Sequence, residues 1–370
     1  MKAFLYLLVI GLLTSCGQNT AIDTLEPILP LRFEEAENAD IAALTDSIGF
    51  IALDNNPEAY FTDIAKLSAK NGHFYLMETF SQTKGLLVFD GEGNFIRSIG
   101  EIGEGPGKMR RPTDFDIFSD GSVVFLDRDL RRLFFYSSEG EFQKTSDLSF
   151  PAISFVHLKD GGWLFSANIQ DTTSYKVVKT HAEFLPIEYH FPYAEEEKQI
   201  MLSYGNFHVE GPEILYHRPF SDTLSIFSET GNLTQQVKLD FGKESPPVEA
   251  LYDFQKMSAY QNKVRYSYLL SRPVITEDYI VGMYSTTFNE GVVWLFARKS
   301  GKLNSIILDM DNYTFKNIYR PLTVLHEKGI VSHMMPEVLA MEKNLSDIPQ
   351  NIQEHLADEG HVLVVHYLKE

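Results

Sequence analysis

Arginine–proline pairs are the most distinctive chemical pattern in this chain. Four of its 12 arginines directly precede a proline, at Arg111, Arg218, Arg272 and Arg320. Composition would give about half of one such pair by chance, so turn preferences alone do not account for four. Proline holds the preceding residue extended, and a guanidinium group binds carboxylate or phosphate in a bidentate manner. We therefore expect these arginines and Arg128 to bind an anionic ligand, provided that the fold places them together.

Ion pairing is the alternative role for these arginines. The chain has 51 acidic against 32 basic residues and a net charge of −19, so an acidic partner for each arginine is readily available. The same acidic excess argues against nucleic acid as a partner. His217 directly precedes Arg218, and it is the histidine that we expect to act as a ligand or base at the same site.

The N-terminus has the pattern of a secretory signal. Lys2 precedes an apolar run over residues 3–13, which is too short for a membrane-spanning helix of about 20 residues. Leu13-Thr14-Ser15-Cys16 resembles a bacterial lipobox, which implies lipidation of Cys16, the only cysteine of the chain. An ordinary signal with an unrelated cysteine is the alternative. We expect a signal peptide over residues 1–16 and a polar tether over residues 17–40.

Repeated turn signals predict the fold that positions the arginines. Short runs of β-forming residues alternate with two series of turns, the first at 71–72, 120–121, 160–161, 210–211, 277–278 and 328–329. The second series follows the first five turns at a nearly constant distance, which indicates a recurring four-strand unit. Repeats of roughly 40 to 50 residues with four strands each are typical of propeller blades.

We therefore predict an all-β fold over residues 41–370, a six-bladed β-propeller with four-stranded antiparallel blades. Blade 2 is the clearest, with strands near 114–118, 122–126, 132–136 and 141–145. The last blade lacks a strand at the C-terminus, and the segment 48–53 can supply it. Such closure removes exposed sheet edges.

Blade 2 also carries a family resemblance. Its glycine-rich entry (Gly100 to Gly107), Asp114-Phe115, Asp120-Gly121 and Gly140-Glu141-Phe142 resemble an NHL repeat. With the lipobox, the whole mature chain resembles the six-bladed propeller lipoproteins of Bacteroidetes. That resemblance implies an outer-membrane lipoprotein. We favour its periplasmic face, because residues 17–22 lack an acidic cluster like the surface-export signal of that phylum.

The two ends of the predicted propeller differ. We call the end with the first-to-second and third-to-fourth turns the turn face, and the opposite end, with the second-to-third and blade-to-blade connections, the loop face. Long loops at about 191–206, 242–272, 308–320 and 334–360 fall on the loop face, the usual place for binding. Helical insertions over 248–270 and 337–356 are expected there, either capping the channel or packing on the rim. Nine arginines also map to the loop face: Arg110, Arg111, Arg128, Arg131, Arg132, Arg218, Arg265, Arg272 and Arg320.

These patterns favour a binding protein over an enzyme. We predict an envelope-anchored lipoprotein that binds an anionic small molecule, a glycan, a peptide or an envelope protein at its loop face. Tyrosines 193, 204, 216 and 284 and Trp294 are candidates for stacking on sugars. The alternative is a lactonase-like hydrolase or lyase assisted by a divalent cation in the central channel; no other cofactor and no catalytic residue is predicted. A scaffold that only docks partners is a third possibility.

Overall fold

A computed structural model gives the fold of this chain. It describes residues 28–369 except 79–80, 82–83, 168–173, 195–204, 252–253, 270, 309–313 and 343–344. The predicted signal peptide, the lipidation site Cys16 and the first part of the tether lie outside the described residues. No helix in the described part of the chain is both long and apolar enough to cross a membrane.

The described strands form six separate sheets, one for each predicted blade, and the prediction of a six-bladed propeller is confirmed. From the innermost strand outward, blade 1 contains β4 (Ile64–Lys70), β5 (His73–Glu78), β6 (Lys84–Asp90) and β7 (Phe95–Glu101), and blade 2 contains β8 (Pro112–Ile117), β9 (Val123–Asp127), β10 (Arg132–Tyr136) and β11 (Phe142–Asp147). Blade 3 contains β12 (Ala152–His157), β13 (Trp163–Ala167), β14 (Tyr175–Thr180) and β15 (Pro186–Pro192), and blade 4 contains β16 (Phe207–Glu210), β17 (Glu213–Tyr216), β18 (Thr223–Ser228) and β19 (Leu233–Asp240). Blade 5 contains β21 (Val274–Ile275), β22 (Tyr279–Thr286), β23 (Gly291–Ala297) and β24 (Lys302–Leu308), with β20 (Ser267–Tyr268) also paired to β22. Blade 6 contains β25 (Thr323–Leu325), β26 (Gly329–Met334), β27 (Val362–Leu368) and β3 (Thr45–Ala52).

The N-terminal segment closes the ring and also braces two other blades. Strand β3 pairs antiparallel with β27, as predicted. Two earlier strands, β1 (Ile28–Arg32) and β2 (Glu37–Asn38), pair in parallel with the outer strands β19 of blade 4 and β24 of blade 5. A short helix, α1 (Ile41–Leu44), then leads into β3. The prediction of a tether is therefore wrong for residues 28–40, because β1 and β2 within this segment pair with the outer strands of blades 4 and 5.

Apolar side chains fill the space between neighbouring blades. Six buried clusters each combine residues from two adjacent sheets, one cluster for every pair of neighbours around the ring. In the cluster between blades 4 and 5, Trp294 is fully buried and its ring lies against Gly282, where an added Cβ would be only 2.6 Å from the indole. Such dense packing makes the propeller a rigid scaffold for the loops on its two faces.

The helical insertions are shorter than predicted. Residues 248–270 contain two helices, α2 (Val248–Leu251) and α3 (Phe254–Ala259), followed by β20. The other insertion contains 3₁₀ turns at Pro336–Ala340 and Leu345–Asp347 and the helix α4 (Gln350–Ala357). Ile352 and Leu356 of α4 are buried with residues of β27 and β3, so this helix packs against the sheet of blade 6.

Candidate functional site

A network of polar side chains crosses the central channel near the loop face. Lys66 of β4 donates from Nζ to Asp114 Oδ1 of β8 at 2.6 Å and to the Phe115 carbonyl at 2.7 Å. The second carboxylate oxygen accepts the Phe155 N–H at 2.9 Å and the hydroxyl of Ser154 in β12. The side chain of Asp114 is fully buried and that of Lys66 is 10% exposed. The two charged groups are therefore solvated by protein groups rather than by water.

The network continues around the remaining blades. The backbone N–H of Asn206, at the start of blade 4, donates to Ser154 Oγ at 2.9 Å. Arg272, just before β21, donates to the carbonyls of Phe207 in blade 4 and Leu322 in blade 6, the latter at 2.8 Å. We refer to Lys66, Asp114, Ser154, Asn206 and Arg272 as the polar belt. It joins all six blades and forms one end of the channel.

The predicted arginines do not meet in one ring. Arg111 and Arg128 of blade 2 share Asp129, with nitrogen–oxygen distances of 3.6 and 3.0 Å. Arg218 donates to the Ala167 carbonyl at 3.0 Å, and its guanidinium lies over the ring of Tyr193, 5.1 Å from the centroid. These three arginines therefore serve contacts within and between blades, which is the ion-pairing and packing role that the sequence left open.

Arg320 differs from the other predicted site arginines in its backbone conformation, whereas Arg111, whose side chain is 56% exposed, is at least as accessible. It lies before Pro321 with φ +47, in the left-handed region, rather than in the extended conformation expected before proline. Its side chain is 48% exposed, and its Nη1 is 3.7 Å from Asp63 Oδ1, beyond hydrogen-bond length. A non-glycine residue held at positive φ carries backbone strain, and such strain clusters at functional sites.

His217 is placed in the interior rather than at the surface. It is 1% exposed, its N–H donates to the Asn206 carbonyl at 3.0 Å, and its carbonyl accepts the Asn206 side-chain amide at 2.8 Å. Burial lowers the pKa of His217 to about 3, although a hydrogen bond with the Ser221 backbone works against the shift. The ring is therefore neutral and enclosed, and a ligand on the loop face would not reach it.

A cleft on the loop face lies between blades 6 and 1. Its volume is about 280 Å³, and its walls combine Arg320 and Asp63 with apolar side chains. The apolar and aromatic lining comprises Ile64, Tyr319, Leu322, His333, Met335, Val338 and Met341. Asp63 directly precedes β4, Arg320 and Leu322 precede β25, and Met335 follows β26, so the cleft is built from loop-face connections. We call it the Arg320 cleft.

His333 lines the Arg320 cleft and contacts a second histidine, His361. His333 Nε2 is 2.9 Å from His361 Nδ1 and the two rings stack; Phe61 stacks on His361 and is tilted against His333. Burial is the main reason that the pKa of His333 is lowered to about 3, and the neighbouring His361 and Arg320 contribute to the same shift. His333 is therefore neutral at physiological pH, so Arg320 carries the positive charge of the cleft.

The central channel contains a second cavity, on the other side of the polar belt. Its volume is about 340 Å³, and its walls are the ends of the innermost strands, including Lys70 of β4 and Glu210 of β16. Both residues are the last of their strands, and Gly211 in the following turn also lines the cavity. The cavity therefore lies toward the turn face, opposite the Arg320 cleft.

The sequence also proposed a metal site and aromatic residues that stack on sugars. Among the described residues, no three His, Cys, Asp or Glu side chains stand close enough to hold a metal ion. Of the aromatic candidates, Tyr216, Tyr284 and Trp294 are buried in the core, and Tyr204 lies outside the described residues. Tyr193 hydrogen bonds to the Ala167 carbonyl at 2.8 Å.

The polar belt was not predicted from the sequence, although three of its residues recur at the same position of consecutive blades. Lys66, Asp114 and Ser154 are each the third residue of the innermost strand of their blade. A polar residue at that register position in three consecutive blades, within otherwise apolar strands, could have indicated a ring of contacts across the channel.

Comparisons with known proteins agree with the architecture. Residues 27–363 match the family described as a domain of unknown function (DUF4934). A Bacteroides fragilis protein described as exported is similar with a TM-score of 0.73 and 16% identity, over 93% of this chain and 100% of that one. A member of the duf4221 family from Bacteroides vulgatus has a TM-score of 0.56 and 12% identity, over 88% and 98% of the two chains. Curated proteins gave no match. At these identities the structural likeness shows the fold alone.

Proposed function

Because this chain belongs to the family described as a domain of unknown function (DUF4934), we propose its function from the geometry of the loop face. The protein is a binding protein, and the Arg320 cleft takes an amphipathic anion, a carboxylate joined to an apolar body. The observation that carries this proposal is the half-exposed guanidinium of Arg320 among apolar walls. Small peptides with a free C-terminus and acyl carboxylates both have this chemistry.

The charge at Arg320 is available to a ligand. Among the described residues, its guanidinium has the ion pair with Asp63 at 3.7 Å and no hydrogen bond. A carboxylate at hydrogen-bond distance would accept two N–H groups at once, which is the strongest form of this contact. Arg320 also lies close enough to buried Arg272 to lower its pKa, so an anion in the cleft would relieve repulsion between two cations.

The apolar walls explain why the ligand needs an apolar part. Met335 and Met341 are 38% and 42% exposed, so both present apolar surface to the cleft. Methionine is flexible and polarisable, so it adapts to ligands of different shapes. An acyl or aliphatic group that covered these two side chains would gain about 25 cal/mol for each Å² removed from water.

The cellular location of the protein is also part of the proposal. The signal pattern and the lipobox-like Cys16 support export and attachment to the outer membrane, and we favour its periplasmic face. The fold of an exported Bacteroides fragilis protein is consistent with export. A location in the envelope would give the cleft access to peptides, acyl chains and glycan fragments.

A thermal-shift series tests this function. Straight-chain carboxylates from acetate to octanoate are compared with alcohols of the same length, because ligand binding to the native state raises the melting temperature. We expect the shift to grow with chain length and to be absent for the alcohols. Arg320→Gln should abolish the octanoate shift, whereas Arg132→Gln, which removes a surface ion pair with Asp147, should keep it. Equal shifts from alcohols and carboxylates would overturn the proposal.

The same series separates the other candidates. Uronic acids and neutral glycans test sugar binding, and divalent cations with and without a chelator test the metal-assisted hydrolase or lyase. A shift that requires a cation and disappears with chelator would favour the enzyme. No shift from any compound would favour a protein partner, to be sought by pull-down.

A further inference from the structure

The channel cavity contains a buried cation, Arg272, that no carboxylate of the described residues contacts directly. Arg272 donates to the main-chain carbonyls of Phe207 and Leu322, and its Nε is buried without a hydrogen-bond partner among the described residues. Burial lowers the pKa of Arg272 to about 10; Asp114 opposes this shift and Arg320 adds to it. A buried charge is costly unless a counter-charge approaches it.

The acidic groups near Arg272 are already engaged with other donors. Asp114 accepts hydrogen bonds from Lys66, Ser154 and two backbone N–H groups. The carboxylate of Asp116 accepts the N–H groups of Ile117 at 2.8 Å and His157 at 2.9 Å. The inner end of the cavity is therefore positively charged at Arg272. Within the described residues, no carboxylate is in direct contact with this guanidinium.

Two further groups define the polarity of the cavity. His208 lines it, and because its Nδ1 accepts the Ile275 N–H at 3.2 Å, the neutral ring carries its proton on Nε2. Glu210 stands at the turn-face end, and burial together with nearby Glu327 raises its pKa. The inner end therefore favours an anion, whereas the turn-face end carries the carboxyl group of Glu210 and also the cation Lys70, whose Nζ donates to the Ile117 carbonyl.

We propose that the central channel is a second ligand site, entered from the turn face, that holds a small monocarboxylate against Arg272. The volume of about 340 Å³ suits a molecule of a few heavy atoms with accompanying water, near the lower limit for ligand pockets. A small amino acid also fits this description, since its ammonium group would approach Glu210 at the mouth. The site is separate from the Arg320 cleft, because the polar belt lies between them.

Val209 allows the site to be tested without disturbing the belt. It lies on β16, lines the cavity and is 47% exposed, so Val209→Trp would occupy the ligand space. Val248→Trp is the matched control, because Val248 is 61% exposed at the start of α2 and does not line the cavity. Arg272→Gln is a second variant, with the risk that loss of a contact joining three blades impairs folding.

The experiment is saturation-transfer NMR on the full chain, with acetate and glycine as the observed probes and inorganic phosphate as an unobserved competitor. We expect transfer to acetate and glycine, only weak displacement of acetate by phosphate, and affinity for acetate at least about tenfold lower in Val209→Trp but unchanged in Val248→Trp. Glu210→Gln should strengthen acetate binding. The proposal is overturned if acetate receives no saturation from the wild type, which would mean a water-filled channel, or if Val209→Trp binds acetate as well as the wild type does.

A crossed comparison distinguishes this site from the Arg320 cleft. Arg320→Gln should lose octanoate and keep acetate, whereas Val209→Trp should lose acetate and keep octanoate. If Arg320→Gln loses both, acetate binds in the cleft and the channel proposal is wrong. If octanoate fails to bind the wild type but acetate behaves as expected, the proposed function is wrong and the channel site stands.

Discussion

The buried pair of Lys66 and Asp114 gives the sharpest prediction about stability. Asp114→Asn preserves the shape of the side chain but removes its charge, so Lys66, with only 10% of its side chain exposed, loses its counter-ion. Removing one partner of a buried ion pair typically costs about 3–5 kcal/mol, because the other charge stays buried. The unfolding entropy of a 370-residue chain, at about 2 cal/mol/K per residue, is roughly 0.8 kcal/mol/K. The expected fall in melting temperature is therefore about 4–6 °C.

Differential scanning calorimetry measures this loss, with a surface substitution as control. Asp129→Asn removes a partner of Arg111 and Arg128 where the carboxylate is accessible to water, so its cost should stay within about 1 kcal/mol. Adding Lys66→Met to Asp114→Asn removes the stranded charge and should restore part of the stability, which a double-mutant cycle quantifies. A fall below about 2 °C for Asp114→Asn, or no recovery in the double variant, would refute the assignment of the pair as a buried link between blades.

Three further predictions concern packing, pH and location. Gly282→Ala should lower the melting temperature by about 1–4 °C, since its Cβ would be 2.6 Å from the ring of Trp294; an unchanged value in calorimetry would contradict this packing. Burial holds the pKa of His333 at about 3, below the ordinary 6.5, so the unfolded chain takes up the proton first and stability falls as pH falls from about 6.5 toward 3. His333→Gln should reduce the slope of the unfolding free energy against pH by up to about 1.4 kcal/mol per unit in denaturant titrations, and an equal slope would count against this burial. Cys16→Ala should release the protein from membranes, and persistent pelleting after high-salt washing would argue against lipidation.

The sequence predicts the blades well because their signals are local. Turn glycines need only their neighbours to take positive φ, as at Gly72 and Gly121, and the alternation of turns and β-forming runs is contained within about ten residues. The closing strand was also predictable, since the last blade lacked one strand and the segment 48–53 had no other partner. These features follow from local backbone conformation and from the number of strands that each blade requires.

The contacts of the site could not be predicted in the same way because their partners are distant in the chain. Residues 28–32 pair in parallel with β19, about 200 residues away, and no local sequence pattern predicts such a partner. Arg272 donates to carbonyls of two other blades, and Arg320 adopts positive φ although proline follows it. The sequence could identify arginines on the loop face, but tertiary packing decides which of them lines an apolar cleft.

The central claim is that Arg320 anchors a carboxylate in the cleft between blades 6 and 1. The most direct measurement is a crystal structure of the protein with octanoate, at a concentration that saturates the thermal shift. The account predicts carboxylate oxygens within about 3.2 Å of the Arg320 guanidinium, with the acyl chain against Met335 and Met341. Octanoate bound elsewhere, or bound in the cleft with its carboxylate turned away from Arg320, would contradict the account.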